Sequence, residues 1–257
     1  MRVSGRVVVI TGAGSGIGAG LARRFSREGA AAVIVADIDL EAATRIAEEI
    51  DGHAMQVDVA EEDSNRRLID DVENAFGPID LFCANAGIAH EGDEQGSDQE
   101  WEHMLGINFK SHVFAARHLI PRWLERGAGY LLVTASAAGL LTNLGAVQYT
   151  VTKHAAVAFA EWIAITYGDR GIKVSCLCHQ GVRTPMLEQA GVVGELLGES
   201  ALSTEEVAAA VVAGLEAERF LILPHAEVAD FILRKASDRD AWIAGMQRLR
   251  ARLGLSK

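Results

Sequence analysis

The sequence predicts a doubly wound α/β fold, a parallel sheet of about seven strands with helices on both faces, and three observations carry that reading. Beta-branched runs alternate with helical patterns through most of the 257 residues, and such alternation means parallel strands joined by crossover helices. Several of the runs, RVVVIT, AAVIVAD and YLLVTAS, are almost continuously apolar, as expected of strands covered on both faces. The chain holds no internal repeat, no low-complexity tract and no Pro/Gly/Ser-rich linker. With 49% hydrophobic residues it can build one sizeable core, so residues 1–257 read as a single domain.

Composition narrows the partners. Lys and Arg total 24 against 35 Asp and Glu, a formal charge of −11, and no basic run reverses that field locally, so nucleic acid is not an expected partner. No segment approaches the roughly 18 uninterrupted apolar residues of a membrane span. Met1 and Arg2 lead directly into the strand-like run Val7 to Ile10, without the longer apolar stretch and cleavage site of a signal peptide. Cys83, Cys176 and Cys178 sit inside apolar strand-like runs and read as reduced, buried thiols, so a cytoplasmic location is expected. The eight histidines show no ligand spacing such as His-Glu-x-x-His, and no metal is expected.

Taken in order, the expected strands are Arg6–Thr11, Ala32–Asp37, His53–Asp58, Leu81–Ala84, Tyr130–Ser136, Lys173–Cys178 and Phe220–Leu223. The first runs into TGAGSGIG, with Gly12, Gly16 and Gly18 where the strand ends and a helix begins, from about Ile17 to Arg27. Glycines there allow a sharp turn and close approach to a pyrophosphate, and the helix amides and dipole face the negative charge. The second strand ends at Asp37, about twenty residues beyond the loop, where a carboxylate can accept hydrogen bonds from an adenosine ribose. The other use of Asp37 is as N-cap of the helix that starts near Leu40. Loop and acid together are a much stronger signal of a dinucleotide site than the loop alone. The polar stretch His90 to His103 reads as an exposed loop leading to a helix near Ser97 or Asp98.

The fifth strand ends at Ser136, at the sheet edge where open α/β proteins bind ligands. Thirteen residues on, Tyr149 and Lys153 stand at i and i+4 and project to one helix face. A free phenol titrates near pH ~10, and a neighbouring ammonium can lower that toward the range of a general base. The same helix continues as AAVAFAEWIAI, apolar around nearly its whole circumference, so a second subunit is expected to cover what the sheet does not. After the sixth strand, Thr184 to Ser200 carries Met186, Leu187, Val192, Val193, Leu196 and Leu197 broken by Gly191, Gly194 and Gly198, a pattern of a movable flap or of a plain packed surface helix. With Leu140, Leu141 and Leu144 these residues suggest a pocket for a largely hydrophobic substrate. A helical segment at about 226–253 ends the chain.

TGAGSGIG, NAG at Asn85–Gly87, Asn108, Ser136 and YTVTK, in this order and spacing, resemble the short-chain dehydrogenase/reductase family over about residues 5 to 187. The resemblance implies a hydride transfer between NAD and a secondary alcohol or ketone, with Asn108, Ser136, Tyr149 and Lys153 as the catalytic set. Tyr149 would exchange the proton, Lys153 would lower its pKa and hold the nicotinamide ribose, Ser136 would bond the reacting oxygen, and Asn108 would support a water that links the lysine to solvent. Gly12, Ser15, Gly16, Ile17 and Gly18 would hold the cofactor phosphates and Asp37 its ribose. Asp58 and Val59 would meet the adenine, and Asn85, Ala86 and Gly87 would lie against the cofactor. Val182 and Thr184 would reach the nicotinamide amide, although this chain reads CHQGVRTPM and places His179-Gln180 where the family has a proline. Preference for NAD over NADP is expected, because Ser15 and Ile38 occupy the places where NADP-preferring members carry Arg or Lys. A homotetramer, a dimer of dimers, is expected through the Tyr149 helix and the one around Phe109–Leu124. A non-catalytic dinucleotide-binding regulator is the alternative, but it could spare any of the four catalytic residues. A serine hydrolase lacks its Gly-x-Ser-x-Gly elbow here.

Overall fold

The structure, a computed structural model, describes residues 1–189 and 191–255 without the side chain of Val193; that side chain and Ala190, both in the expected flap, lie outside the described residues. Seven parallel strands appear where the apolar runs place them: β1 (Val7–Thr11), β2 (Ala32–Asp37), β3 (His53–Gln56), β4 (Leu81–Ala84), β5 (Gly129–Thr134), β6 (Ile172–Leu177) and β7 (Leu221–Ile222). Their order across the sheet is β3-β2-β1-β4-β5-β6-β7. The chain therefore winds outward from β1 in one direction and from β4 in the other, and the crevice at that reversal is where such sheets bind ligands.

Period-two alternation sends neighbouring residues of one strand into different cores. Val7 and Val9 of β1 join a core with Phe82, Leu131, Val133 and Val174, under α3 (Glu62–Phe76), α5 (Ser111–Arg126) and α6 (Val147–Tyr167). Val8 and Ile10 join the opposite core with Leu81, Cys83, Tyr130 and Leu132, under α1 (Gly16–Arg27), α2 (Leu40–Ile50) and α9 (Thr204–Glu216). This is the doubly wound architecture expected from the sequence. The three cysteines are buried and free, and the Cys176 and Cys178 sulfurs lie 3.8 Å apart.

Strand ends differ from the sequence reading for a local reason. His53–Gln56 stops two residues before Asp58, because the Asp58 carboxylate turns the chain by accepting from the Ala60 N–H at 2.9 Å. The helix α4 (Asp98–Leu105) starts after Ser97, which forms a reciprocal cap with Glu100. It runs through one wide π turn, Gly106–Lys110, into α5. The expected flap is two short helices, α7 (Pro185–Glu188) and α8 (Gly191–Gly198), and the chain closes with α10 (Glu227–Ser237) and α11 (Arg239–Arg252).

Candidate active site

A cavity of about 900 Å³ opens at the carboxyl ends of β1, β4, β5 and β6. One end is the glycine loop. Gly12 has a φ of +64°, and a Cβ there would stand 2.7 Å from Ala86 Cα. A Cβ on Gly18 would stand 2.2 Å from the Gly12 carbonyl oxygen, so the loop can close only on glycine at both places. Ser15 is the N-cap residue of α1 but makes no side-chain cap bond, and the first turn holds no acid, which leaves the leading amides free for an anion. Asn85 holds the loop from β4, its amide donating to Thr11 O at 3.0 Å and to Gly12 O at 3.3 Å.

Asp37 closes the loop from the other side. Its Oδ2 accepts from the Gly14 N–H at 2.8 Å and its Oδ1 from the Asp39 N–H at 3.1 Å. The N-cap of α2 is Asp39, which accepts from Ala42 N at 3.0 Å, so the capping use considered for Asp37 is not the one the fold adopts. Asp37 lines the cavity with Ser15, Gly16, Ile17, Asp58 and Val59.

At the middle of the cavity stand Ser136, Tyr149 and Lys153, with Ala86 and Gly87 behind them. Ser136 lies just beyond β5, where its Oγ accepts from Ala138 N at 3.1 Å and so fixes the turn Ala137–Gly139. Tyr149 packs in a small apolar cluster with Met104, Ala138 and Ala146. Lys153, 3% exposed, donates to Thr134 O at 2.9 Å, and its Nζ is 5.6 Å from the centre of the Tyr149 ring. Burial pushes the Tyr149 hydroxyl above its ordinary value, against a hydrogen bond with Ser136 that lowers it. Burial also brings the Lys153 ammonium down to about 8. The Lys153 ammonium is aimed at a carbonyl, and burial is the largest influence on the Tyr149 hydroxyl.

Two expected residues do not face the cavity. Gly18 lies under the loop, and Asn108, fully buried in the π turn, donates to Ile88 O at 2.9 Å and to Thr152 Oγ1 at 3.2 Å while accepting from Ile88 N at 2.8 Å. Asn108 therefore braces the segment after Gly87 against α6, one turn from Tyr149. A wide turn at such a position is a recurrent mark of functional sites.

The loop after β6 departs from the family pattern and still faces the site through Val182 and Thr184. His179 takes the place of the proline; its carbonyl accepts from Ala137 N at 2.8 Å, and its Nδ1 turns back to Gln180 O at 2.6 Å. Burial pushes this imidazole down to about 4. Gln180 Nε2 donates to Glu227 Oε1 at 2.9 Å. Both residues tie the loop to its neighbours.

The far wall is apolar and includes residues that the sequence reading left without a role. Leu141, Leu144, Met186, Leu187, Leu196 and Leu197 were expected there. Trp242, Met246, Leu249 and Leu253 of the C-terminal segment join them, together with Phe231. Their spacing of i, i+4, i+7 and i+11 is a helical stripe visible in WIAGMQRLRARL.

Comparison with known proteins agrees with the fold. The chain belongs to the short chain dehydrogenase family, which it matches over residues 6–192. It is thus an oxidoreductase acting on CH–OH groups with a nicotinamide dinucleotide. It is 34% identical over 251 residues to the 1-deoxy-11-beta-hydroxypentalenate dehydrogenase of Streptomyces exfoliatus, covering 94% of this chain and 90% of that protein. Cyclohexanol dehydrogenase of Acinetobacter sp. (strain SE19) is 30% identical over 195 residues, covering 73% and 77%. A crystal structure of a short chain dehydrogenase/reductase from Burkholderia phymatum in complex with NAD superposes with a TM-score of 0.85 at 25% identity, covering 94% of this chain and 96% of that one.

Proposed function

We propose that the protein is an NAD-dependent dehydrogenase/reductase that interconverts a largely hydrophobic secondary alcohol and its ketone, with Tyr149 as the acid/base. The observation that carries this reading is the convergence of Ser136, Tyr149 and Lys153 in one cavity, between a phosphate-shaped glycine loop and an apolar wall. The glycine loop, the uncapped start of α1 and the Asp37 carboxylate fit the pyrophosphate and adenosine ribose of the cofactor, which when bound accepts or donates the hydride. Cyclohexanol, the alcohol in one relative's name, is of the apolar secondary kind, whereas hydroxypentalenate in another is a hydroxy-carboxylate.

The chain's own residues supply position and proton control. Ser136 is held by the Ala138 N–H so that its hydroxyl can bond the substrate oxygen next to the Tyr149 hydroxyl. Tyr149 takes the alcohol proton during oxidation and returns it during reduction. Lys153, anchored on Thr134 O, places a cation below the ring that favours the phenolate once the proton is to be accepted, and it offers donors to the cofactor ribose. Asn108 acts as a positioning residue, holding Ile88 and α6 in register around the lysine. The apolar wall excludes water from the reacting carbon. The assembly is a cytoplasmic homotetramer built through α5 and α6.

Assay of secondary alcohols with NAD, followed by absorbance of the reduced cofactor, tests the reading together with Tyr149→Phe. The ring and its packing remain in that variant and only the transferable proton is lost, so kcat should fall by roughly 10²–10⁴ while cofactor affinity stays close to that of the parent. Turnover within a few fold of the parent would remove Tyr149 from the proton transfer.

A further inference from the structure

The reading above leaves the charge of the substrate open, and α10 bears on it. Glu227, Phe231 and Arg234 fall at i, i+4 and i+7 along this helix, a single stripe, and all three line the cavity. The stripe is held in place from both ends. Glu227 accepts from Gln180 of the loop after β6, and Lys235 Nζ donates to Leu140 O of the loop after Ser136 at 2.7 Å. The Arg234 guanidinium lies 5.9 Å from the centre of the Phe231 ring, which in turn packs at 6.4 Å against Trp242. A guanidinium laid over an aromatic face keeps its N–H edge free for a planar, two-point acceptor.

Arg234 meets no carboxylate among the described residues, whereas Arg23, Arg122 and Arg183 all do. Besides Lys153 it is the only Lys or Arg among the described residues lining this cavity. The acid Glu227 lies two turns away on the same helix and is already bonded to Gln180. The Arg234 guanidinium is therefore the charge on this helix left free to receive an anion in the cavity.

We infer that Arg234 is a specificity-determining residue that receives a carboxylate of the substrate in this cavity, so that apolar hydroxy- and keto-carboxylates are preferred over neutral alcohols. This rests on the alcohol–ketone reading and deepens it. Because Arg234 is exposed, solvent and salt screen the pairing, and the preference is about tenfold rather than absolute.

A homologous series of secondary hydroxy acids, from 5-hydroxyhexanoate to 11-hydroxydodecanoate, serves as a ruler, with each methyl ester as its neutral partner. In the parent enzyme with NAD, kcat/KM for the acid should exceed that for its ester by about tenfold at one optimal length. The difference should lie in KM rather than kcat and shrink as salt is raised. Arg234→Leu should bring the acid-to-ester ratio to about one, and Arg234→Lys should retain part of it. Equal kcat/KM for acid and ester at every length, or an acid preference that survives Arg234→Leu, overturns the role of Arg234 and leaves the alcohol–ketone reading standing. Failure of acids and esters alike to react with either NAD or NADP overturns both.

Discussion

Asp37 is the side chain on which the proposed preference for NAD rests. Its carboxylate is held by the Gly14 and Asp39 amides, each oxygen retaining a lone-pair direction for a ribose hydroxyl. Among the described residues no Lys or Arg is paired with it, and Ile38 beside it is 63% exposed and uncharged. A 2′-phosphate placed at this position meets an anion and no cation. The expected outcome is a kcat/KM for NAD well above that for NADP, by on the order of a hundredfold, narrowing by about tenfold or more in Asp37→Ala. Steady-state kinetics with both cofactors checks it, and equal kcat/KM values in the parent would refute the role of Asp37.

At the scale of elements, the loop after β6 and the helix α8 meet closely. A Cβ on Gly181 would stand 2.4 Å from the Leu197 carbonyl oxygen, backbone that cannot yield like a flexible side chain. Gly181→Ala should therefore displace α8, whose Leu196 and Leu197 line the apolar wall, while both sheet cores stay intact. Reacting groups held by such a wall lose rate steeply with small displacements, so kcat/KM should fall by about tenfold or more with the melting temperature little changed. A variant with parent kinetics would show that α8 does not shape the reacting complex. The glycine-broken apolar pattern of Thr184–Ser200 announced a segment of this kind. It did not reveal that α10 and α11 complete the wall, because the stripe of α11 becomes a lining only when its partner surface is known.

At the scale of the molecule, α6 buries Tyr149, Lys153, Ala156, Ala160 and Ile163 on one side and leaves Trp162 at 54% and Ile165 at 77% exposed on the other. The proposed subunit contact is expected to cover these exposed apolar residues. Trp162→Glu with Ile165→Glu should convert a tetramer into smaller species in sedimentation velocity; a parent that sediments as a monomer at micromolar concentration would overturn the assembly. Acid stability is a second property of the whole chain. Burial, with the Lys153 charge adding to it, pushes His112 down to about 3, and burial pushes His179 down to about 4, whereas in the unfolded chain both titrate near ~6.5. Below that pH the unfolded state binds two protons that the folded state refuses, so stability is complete above about 6.5 and is lost as pH falls toward 4. Urea midpoints between pH 7 and 4.5 should drop with a slope approaching two protons. A flat profile in that window would show that these imidazoles are accessible when folded.

What the sequence determined by itself is whatever near neighbours decide. Apolar runs placed all seven strands, the glycines of TGAGSGIG placed the turn into α1, and i, i+4 spacing put Tyr149 and Lys153 on one face. Tertiary structure alone decided the rest. It chose Asp39 over Asp37 as the cap of α2, set Lys153 on Thr134 O, and let burial outweigh the Ser136 hydrogen bond at the Tyr149 hydroxyl. It also brought Lys235 to Leu140 and Glu227 to Gln180, so that α10 crosses the site. The physical reason is range: backbone periodicity and turn chemistry act over a few residues and are written locally. Desolvation and the meeting of side chains far apart in the chain exist only once the sheet has been covered.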